Sequence, residues 1–163
     1  MEKRLIFGFA IYVLGACNLT DKQHTDALAT IDSLKTNLAS AYTPGFGDVM
    51  RNNIQIEHEK LWYAASESNW LLAEHSLESL ESGFKNLKHW KGDDPRAKFL
   101  DMIMPSAEAV SVSLKQKDLS AFKKKYAVLT NTCNACHRST GYQYIVIKVP
   151  TGDHYGNQEF KIK

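Results

Sequence analysis

The stretch that decides the fold covers residues 119–137 and reads LSAFKKKYAVLTNTCNACH. Its apolar residues recur at steps of three and four, which predicts one buried face of a helix. The two cysteines continue this face, so they are expected to lie in the core and not on the surface. The face comprises Leu119, Phe122, Tyr126, Leu129, Cys133 and Cys136.

The last five residues of this stretch form the motif C-x-x-C-H, with Cys133, Cys136 and His137. Each cysteine of such a pair can form a thioether to one vinyl group of a porphyrin, and the adjacent histidine then ligates the iron as proximal axial ligand. The motif therefore predicts one covalently attached haem c. A redox dithiol and a zinc site use the same residue types and are the alternatives.

Three further helices are predicted upstream, each with one apolar face. The link at 66–68 is short, which requires the first two to form an antiparallel hairpin. Pro105 should kink the third helix or mark its true start. The prediction is an all-α fold, an antiparallel four-helix bundle with haem near the end of the last helix. The three faces comprise Ile54, His58, Leu61 and Ala65; Trp70, Ala73, Leu77, Leu80, Phe84 and Leu87; and Leu100, Ile103, Ala107, Val110 and Leu114.

The distal ligand of the iron is sought on the first of these helices. In an up-down-up-down bundle the carboxyl end of the fourth helix faces the amino half of the first, which contains Met50, Ile54 and His58. His58 lies on the apolar face and is the candidate distal axial ligand, so His137 and His58 are the predicted metal ligands. Met50 is the alternative, and an open distal site is a third. The ordinary alternative for His58 is a core histidine held by a hydrogen bond.

The amino end has the layout of a bacterial lipoprotein. Residues 1–16 combine a basic start with a short apolar run, which is typical of a secretory signal peptide. The ending Leu14-Gly15-Ala16-Cys17 resembles a lipobox, so Cys17 is the predicted lipidation site. Residues 17–45 are predicted to be a tether, with helical spacing of the apolar residues between Leu28 and Tyr42, and a surface helix is the alternative. Residues 46–163 are predicted to be the haem-binding domain. We expect an exported protein, lipid-anchored on the periplasmic or cell-surface side of a bacterial membrane.

The chain after the motif changes character. Gly141 is a predicted helix end, and residues 142–149 favour a β-strand or an extended segment before Pro150 interrupts the run. Because a lone strand is not stable in water, this tail should lie along the bundle or over the haem edge. An edge strand that joins two copies in a homodimer is the alternative.

Composition and charge narrow the functional class. The 163 residues include 20 basic and 18 acidic side chains, for a net charge of +2. This balance indicates no basic surface for binding nucleic acid, and no nucleic-acid-binding motif is present. The sequence contains no phosphate-binding loop and no Ser-His-Asp or paired-carboxylate arrangement, so no catalytic residue is assigned.

The stretch from Gly47 to His137 resembles the cytochrome c prime superfamily, four-helix-bundle proteins with C-x-x-C-H in the last helix. The resemblance implies that Cys133 and Cys136 hold haem c and that His137 is the proximal ligand. In that superfamily the distal face is either apolar and open, giving a gas-binding haem, or occupied by methionine, giving an electron carrier. His58 and the long tail depart from the pattern.

The leading functional expectation is a monohaem c-type cytochrome that carries single electrons between redox protein partners. A haem protein that binds nitric oxide or carbon monoxide is the alternative. A haem peroxidase or reductase is a third hypothesis, in which His58 would act as a general acid-base residue beside an open iron.

Overall fold

The computed structural model of the chain describes residues 21–152 and 158–161. Within these ranges the chain is mostly helical and contains no β-strand, which confirms the all-α fold class. The predicted signal peptide and Cys17 lie outside the described residues. The helices are α1 (Asp21–Ala41), α2 (Phe46–Val49), α3 (Gln55–Ser66), α4 (Trp70–Trp90), α5 (Met104–Lys115) and α6 (Leu119–Ser139), with a π-helical turn at Met50–Ile54 and a 3₁₀ helix at Ala97–Met102.

The chain divides into two compact units, residues 1–43 and 44–163. Helix α1 forms the described part of the first unit, and the remaining elements belong to the second. None of the described helices is both long and apolar enough to cross a membrane.

Two short turns form the helical hairpins of the second unit. After α3, Ser68 adopts a left-handed conformation with φ 58°, and the Asn69 side chain then caps α4 by accepting from the Leu72 amide at 3.2 Å. After α5, Lys117 has φ 53°, and Asp118 caps α6. Each turn reverses the chain within three residues, so α3 and α4 are antiparallel, as are α5 and α6.

Helices α3 to α6 pack in a closed ring: α3 against α4, α4 against α5, α5 against α6, and α6 against α3. The predicted apolar faces form their shared core. Leu61, Leu87, Ala107, Leu114 and Phe122 are fully buried, and Leu77, Leu80 and Phe84 nearly so. Pro105 occupies the first turn of α5 and marks its start, where a missing amide hydrogen costs little.

The strand predicted for residues 142–149 is not formed. These residues are turn and irregular backbone, although Ile147 and Val149 are partly buried and alternate with the exposed Val146 and Lys148. A strand requires a neighbouring strand for its backbone hydrogen bonds, and the described chain provides helices instead. The Asn134 side chain binds both backbone groups of Ile147, at 2.7 Å each, and takes the place of that partner.

Candidate haem-binding site

The motif lies in the last two turns of α6, and Gly141 determines where the helix ends. Gly141 has φ +83°, a conformation that glycine adopts without strain. The Tyr142 amide donates to the His137 carbonyl at 2.8 Å and the Gly141 amide to the Arg138 carbonyl at 3.5 Å, the pattern of a Schellman motif. The helix end predicted at Gly141 is thus confirmed, and the tail is turned back beside the motif.

A cavity of about 350 Å³ opens beside this end of α6. Its size falls in the range typical of small-molecule and cofactor sites, roughly 300–1,000 Å³. The α6 wall includes Cys133, Cys136 and His137, and the tail contributes Tyr142, Ile145 and Ile147. The other apolar side chains come from four separate elements or connections: Phe46, Met50, Ile54, Phe84 and Ile103.

Both cysteines are free thiols whose environment disfavours the thiolate. Removal from water, with a smaller contribution from Cys136, raises the pKa of Cys133 to about 12. Burial likewise raises the pKa of Cys136. A redox dithiol needs a lowered thiol pKa, supplied by a helix N-terminus or a nearby cation. This pair lies at the carboxyl end of a helix, and no cation among the described residues lowers the pKa of either thiol.

The His137 side chain has a defined tautomer. Its Nδ1 lies 2.8 Å from the Ile145 carbonyl oxygen, which can only accept a hydrogen bond. Nδ1 must therefore carry the proton, and in the neutral ring Nε2 keeps its lone pair. A histidine that ligates a metal is commonly oriented by such a bond from its other ring nitrogen. His137 also lines the cavity, so it could hold a metal there through Nε2.

His58 also lines the cavity, but both of its ring nitrogens have protein partners. Nε2 lies 3.0 Å from Thr130 Oγ1, and Nδ1 lies 2.9 Å from the Tyr126 hydroxyl. The same hydroxyl donates to the His58 carbonyl at 2.7 Å. Burial lowers the pKa of His58 to about 4, so the ring is neutral at pH 7. A metal could bind Nε2 only after the contact with Thr130 is broken.

Tyr126 and Thr130 are site residues that the sequence analysis missed as partners of His58. They are four residues apart on α6 and therefore share one helix face. The sequence did contain a signal for such a partner, a threonine one helical turn after a tyrosine on the buried face. Its partner, however, lies 72 residues away, a separation that pattern analysis does not bridge.

Met50 reaches the cavity from the π-helical turn between α2 and α3. Helix α4 approaches this turn closely, because a Cβ placed on Gly83 would overlap the Asn53 side chain and come within 3.0 Å of Ile54. Met50 is partly buried against the core. Its sulfur is the one thioether among the cavity-lining residues.

A cation lies at the cavity wall near the tail. The Arg96 guanidinium stacks 4.1 Å from the centre of the Phe46 ring and donates to the Tyr142 hydroxyl at 2.9 Å. It also forms a two-point ion pair with Asp94, which lowers the pKa of that carboxyl to about 2. Arg96 therefore connects α2, the α4–α5 connection and the tail.

The cavity brings together the predicted proximal set, Cys133, Cys136 and His137, with both distal candidates, Met50 and His58. Two thiols, an imidazole with one oriented lone pair, and apolar walls match the chemistry of a haem c site. Among the described residues, no cluster of three or more His, Cys, Asp or Glu could hold a metal ion.

Comparison with known proteins adds no relative. No protein-family model matches the chain, and neither a curated protein nor a solved structure matches it.

Proposed function

We propose that the chain is a monohaem c-type cytochrome that carries single electrons. The observation that supports this most strongly is the cavity itself, in which Cys133, Cys136 and His137 meet Met50. When bound, haem c supplies an iron that changes oxidation state by one electron. The apolar walls would limit water at that iron.

The motif residues would hold the group as follows. Each thiol, of Cys133 and of Cys136, would add its sulfur and its proton across one vinyl double bond, forming a thioether. The raised pKa values of the two cysteines keep them protonated before attachment. His137 would present Nε2 to the iron, because its Nδ1 proton is held by the Ile145 carbonyl.

We propose Met50 as the distal ligand in preference to His58. The His58 nitrogens already contact Thr130 and Tyr126, and ligation would break the Thr130 contact inside the core. Thr130 Oγ1 would keep its bond to the Tyr126 carbonyl at 2.9 Å, so the lost contact is worth the net value of one hydrogen bond, about 0.5–1.5 kcal/mol. The Met50 thioether would lose no hydrogen bond on holding the iron. With His137 it would supply a second protein ligand, which suits electron transfer with little rearrangement.

The closed ring of α3 to α6 agrees with our proposal of an antiparallel four-helix bundle of the cytochrome c prime type. The tail departs from that family, because it returns along α6 and contributes Ile145 and Ile147 to the cavity. The proposal includes export and lipid anchoring through Cys17, with redox proteins as partners. The homodimer joined through the tail stays a prediction.

The second candidate function is binding of nitric oxide or carbon monoxide. It is favoured by the apolar wall of Phe46, Ile54, Phe84 and Ile103, together with the engaged nitrogens of His58. If Met50 stayed off the iron, this wall would leave the distal position open to a small neutral gas. In a peroxidase or reductase, His58 would instead stand off the iron as an acid-base group.

Absorption spectra of the oxidised, reduced and carbon monoxide-treated protein test this assignment. The wild-type protein should be six-coordinate and low-spin, and Met50→Leu should become high-spin and bind carbon monoxide. His58→Gln, the control at the other distal candidate, should remain low-spin. A wild-type ferrous protein that is high-spin and binds carbon monoxide at once would replace the electron carrier with the gas-binding function. An unchanged spectrum of His58→Gln with loss of peroxide turnover would indicate the enzyme.

A further inference from the structure

Asn134, one of the two residues between the motif cysteines, is joined to the tail at two points. Its Nδ2 donates to the Ile147 carbonyl at 2.7 Å, and its Oδ1 accepts from the Ile147 amide at 2.7 Å. One side-chain amide thus satisfies both backbone groups of one residue, as a neighbouring β-strand would. Three residues further along α6, His137 donates to the Ile145 carbonyl at 2.8 Å.

The two contacts have matching spacing. Asn134 and His137 are three residues apart on a helix, which places their Cβ atoms about 5–6 Å apart. Ile145 and Ile147 are two residues apart, and an extended chain covers about 7 Å in that step and repeats its orientation. The tail therefore runs antiparallel to α6, and fixing Ile147 brings the Ile145 carbonyl to the His137 ring.

The start of the tail, at Tyr142, is held by other hydrogen bonds. The Tyr142 amide donates to the His137 carbonyl, the Ile145 amide donates to the Tyr142 carbonyl at 2.9 Å, and Arg96 binds the Tyr142 hydroxyl. Ile145 is 41% exposed, so burial contributes little to holding it. The two hydrogen bonds between Asn134 and Ile147 fix the chain on the carboxyl-terminal side of Ile145.

We propose that Asn134 is a positioning residue for His137: by binding both backbone groups of Ile147, it holds the Ile145 carbonyl where it accepts the Nδ1 proton. This inference rests on the proposed function, in which His137 ligates iron. A carbonyl fixed in this way selects the tautomer with the Nε2 lone pair and makes the ring a stronger donor to the metal. Asn134 would thereby lower the reduction potential without touching the iron.

The test uses the full-length chain with Asn134→Ala and, as a size-matched second variant, Asn134→Asp. Asp keeps the acceptor for the Ile147 amide but loses the donor to the Ile147 carbonyl. Asn131→Ala is the control, because Asn131 is exposed on the same helix, three residues earlier. Hydrogen exchange at the Ile147 amide should be at least about tenfold faster in Asn134→Ala and unchanged in Asn131→Ala. The reduction potential of Asn134→Ala should shift to a more positive value. Asn134→Asp is compared by exchange alone, because its added negative charge would itself lower the potential. Exchange at its Ile147 amide should lie between those of the wild type and Asn134→Ala.

With haem-loaded protein, two results would overturn the inference. Unchanged exchange at Ile147 in Asn134→Ala would show that the side chain does not hold the tail. Faster exchange with an unchanged potential would show that the tail does not position His137. If the purified chain carries no haem, the proposed function fails, and the tautomer of His137, read from its imidazole nitrogen NMR shifts, replaces the potential as second readout. It should then change from Nδ1–H toward a mixture in Asn134→Ala only, and a wild-type tautomer in that variant would contradict the inference.

Discussion

Replacing Tyr126 with Phe should destabilise the protein by about 2 kcal/mol. The ring is fully buried and keeps its contacts with Trp62 and Phe122, at centroid distances of 5.0 and 5.6 Å, so the change creates almost no cavity. What is lost is one hydroxyl that contacts His58 Nδ1 at 2.9 Å and donates to the His58 carbonyl at 2.7 Å.

The two contacts of the Tyr126 hydroxyl contribute unequally to that energy. The His58 carbonyl belongs to α3 and keeps its helical amide partner, so losing the hydroxyl costs it about 0.5–1.5 kcal/mol. The ring nitrogen is left without its Tyr126 contact in the core, and an unsatisfied buried group costs about 1–3 kcal/mol. Because these costs are not additive, a total near 2 kcal/mol is expected.

Urea denaturation at pH 7, followed by circular dichroism, measures this change in the free energy of unfolding. Tyr144→Phe is the matched control, since Tyr144 is 73% exposed and its substitution should change stability by less than about 0.5 kcal/mol. The reasoning would be refuted if Tyr126→Phe were as stable as the control. The hydroxyl would then make no net contribution to the free energy of unfolding.

Two further perturbations test the core around the cavity. Burial lowers the pKa of His58 to about 4, so between pH 6.5 and 4 the unfolded chain binds a proton on His58 and the folded chain does not. The contribution of His58 to the free energy of unfolding should therefore be complete above pH 6.5 and be lost as pH falls toward 4. Urea titrations of His58→Gln should lack this part of the pH dependence, and equal slopes for both proteins would contradict it. Gly83→Ala gains about 0.5–1 kcal/mol of helix propensity. Its Cβ would overlap Asn53 Oδ1, which belongs to an exposed side chain that can rotate away, but it would also lie 3.0 Å from Cγ1 of the buried Ile54, where overpacking of about 1–3 kcal/mol should prevail. A melting temperature at or above that of the wild type would show that Ile54 yields.

The sequence predicted those parts of the fold that depend on local periodicity. The apolar faces of α3 to α6 are set by residues three and four apart, and members such as Leu61, Leu80, Val110 and Leu129 are buried as expected. The end of α6 was also predictable, because it depends on a single local residue. Gly141 ends α6 through a backbone conformation that its own chemistry favours.

The tail and the surroundings of His58 were not predictable in this way, because both depend on partners distant along the chain. The β-favouring composition of residues 142–149 indicated a strand, whereas a single amide side chain at Asn134 satisfies the Ile147 backbone. The apolar face containing His58 gave no sign of Tyr126 and Thr130, which belong to the other end of the domain sequence. The π-helical turn that carries Met50 also has no simple periodic signature.

The central claim, that Cys133 and Cys136 hold one haem c, is tested most directly by the intact mass of the exported chain. The protein would be produced in a bacterium that attaches haem to c-type cytochromes, with a known c-type cytochrome exported from the same cells as control. We predict a mass increase of one haem that persists after denaturation and disappears when both cysteines are replaced by Ser. Wild-type protein without bound haem, in cells where the control is fully loaded, would contradict the account.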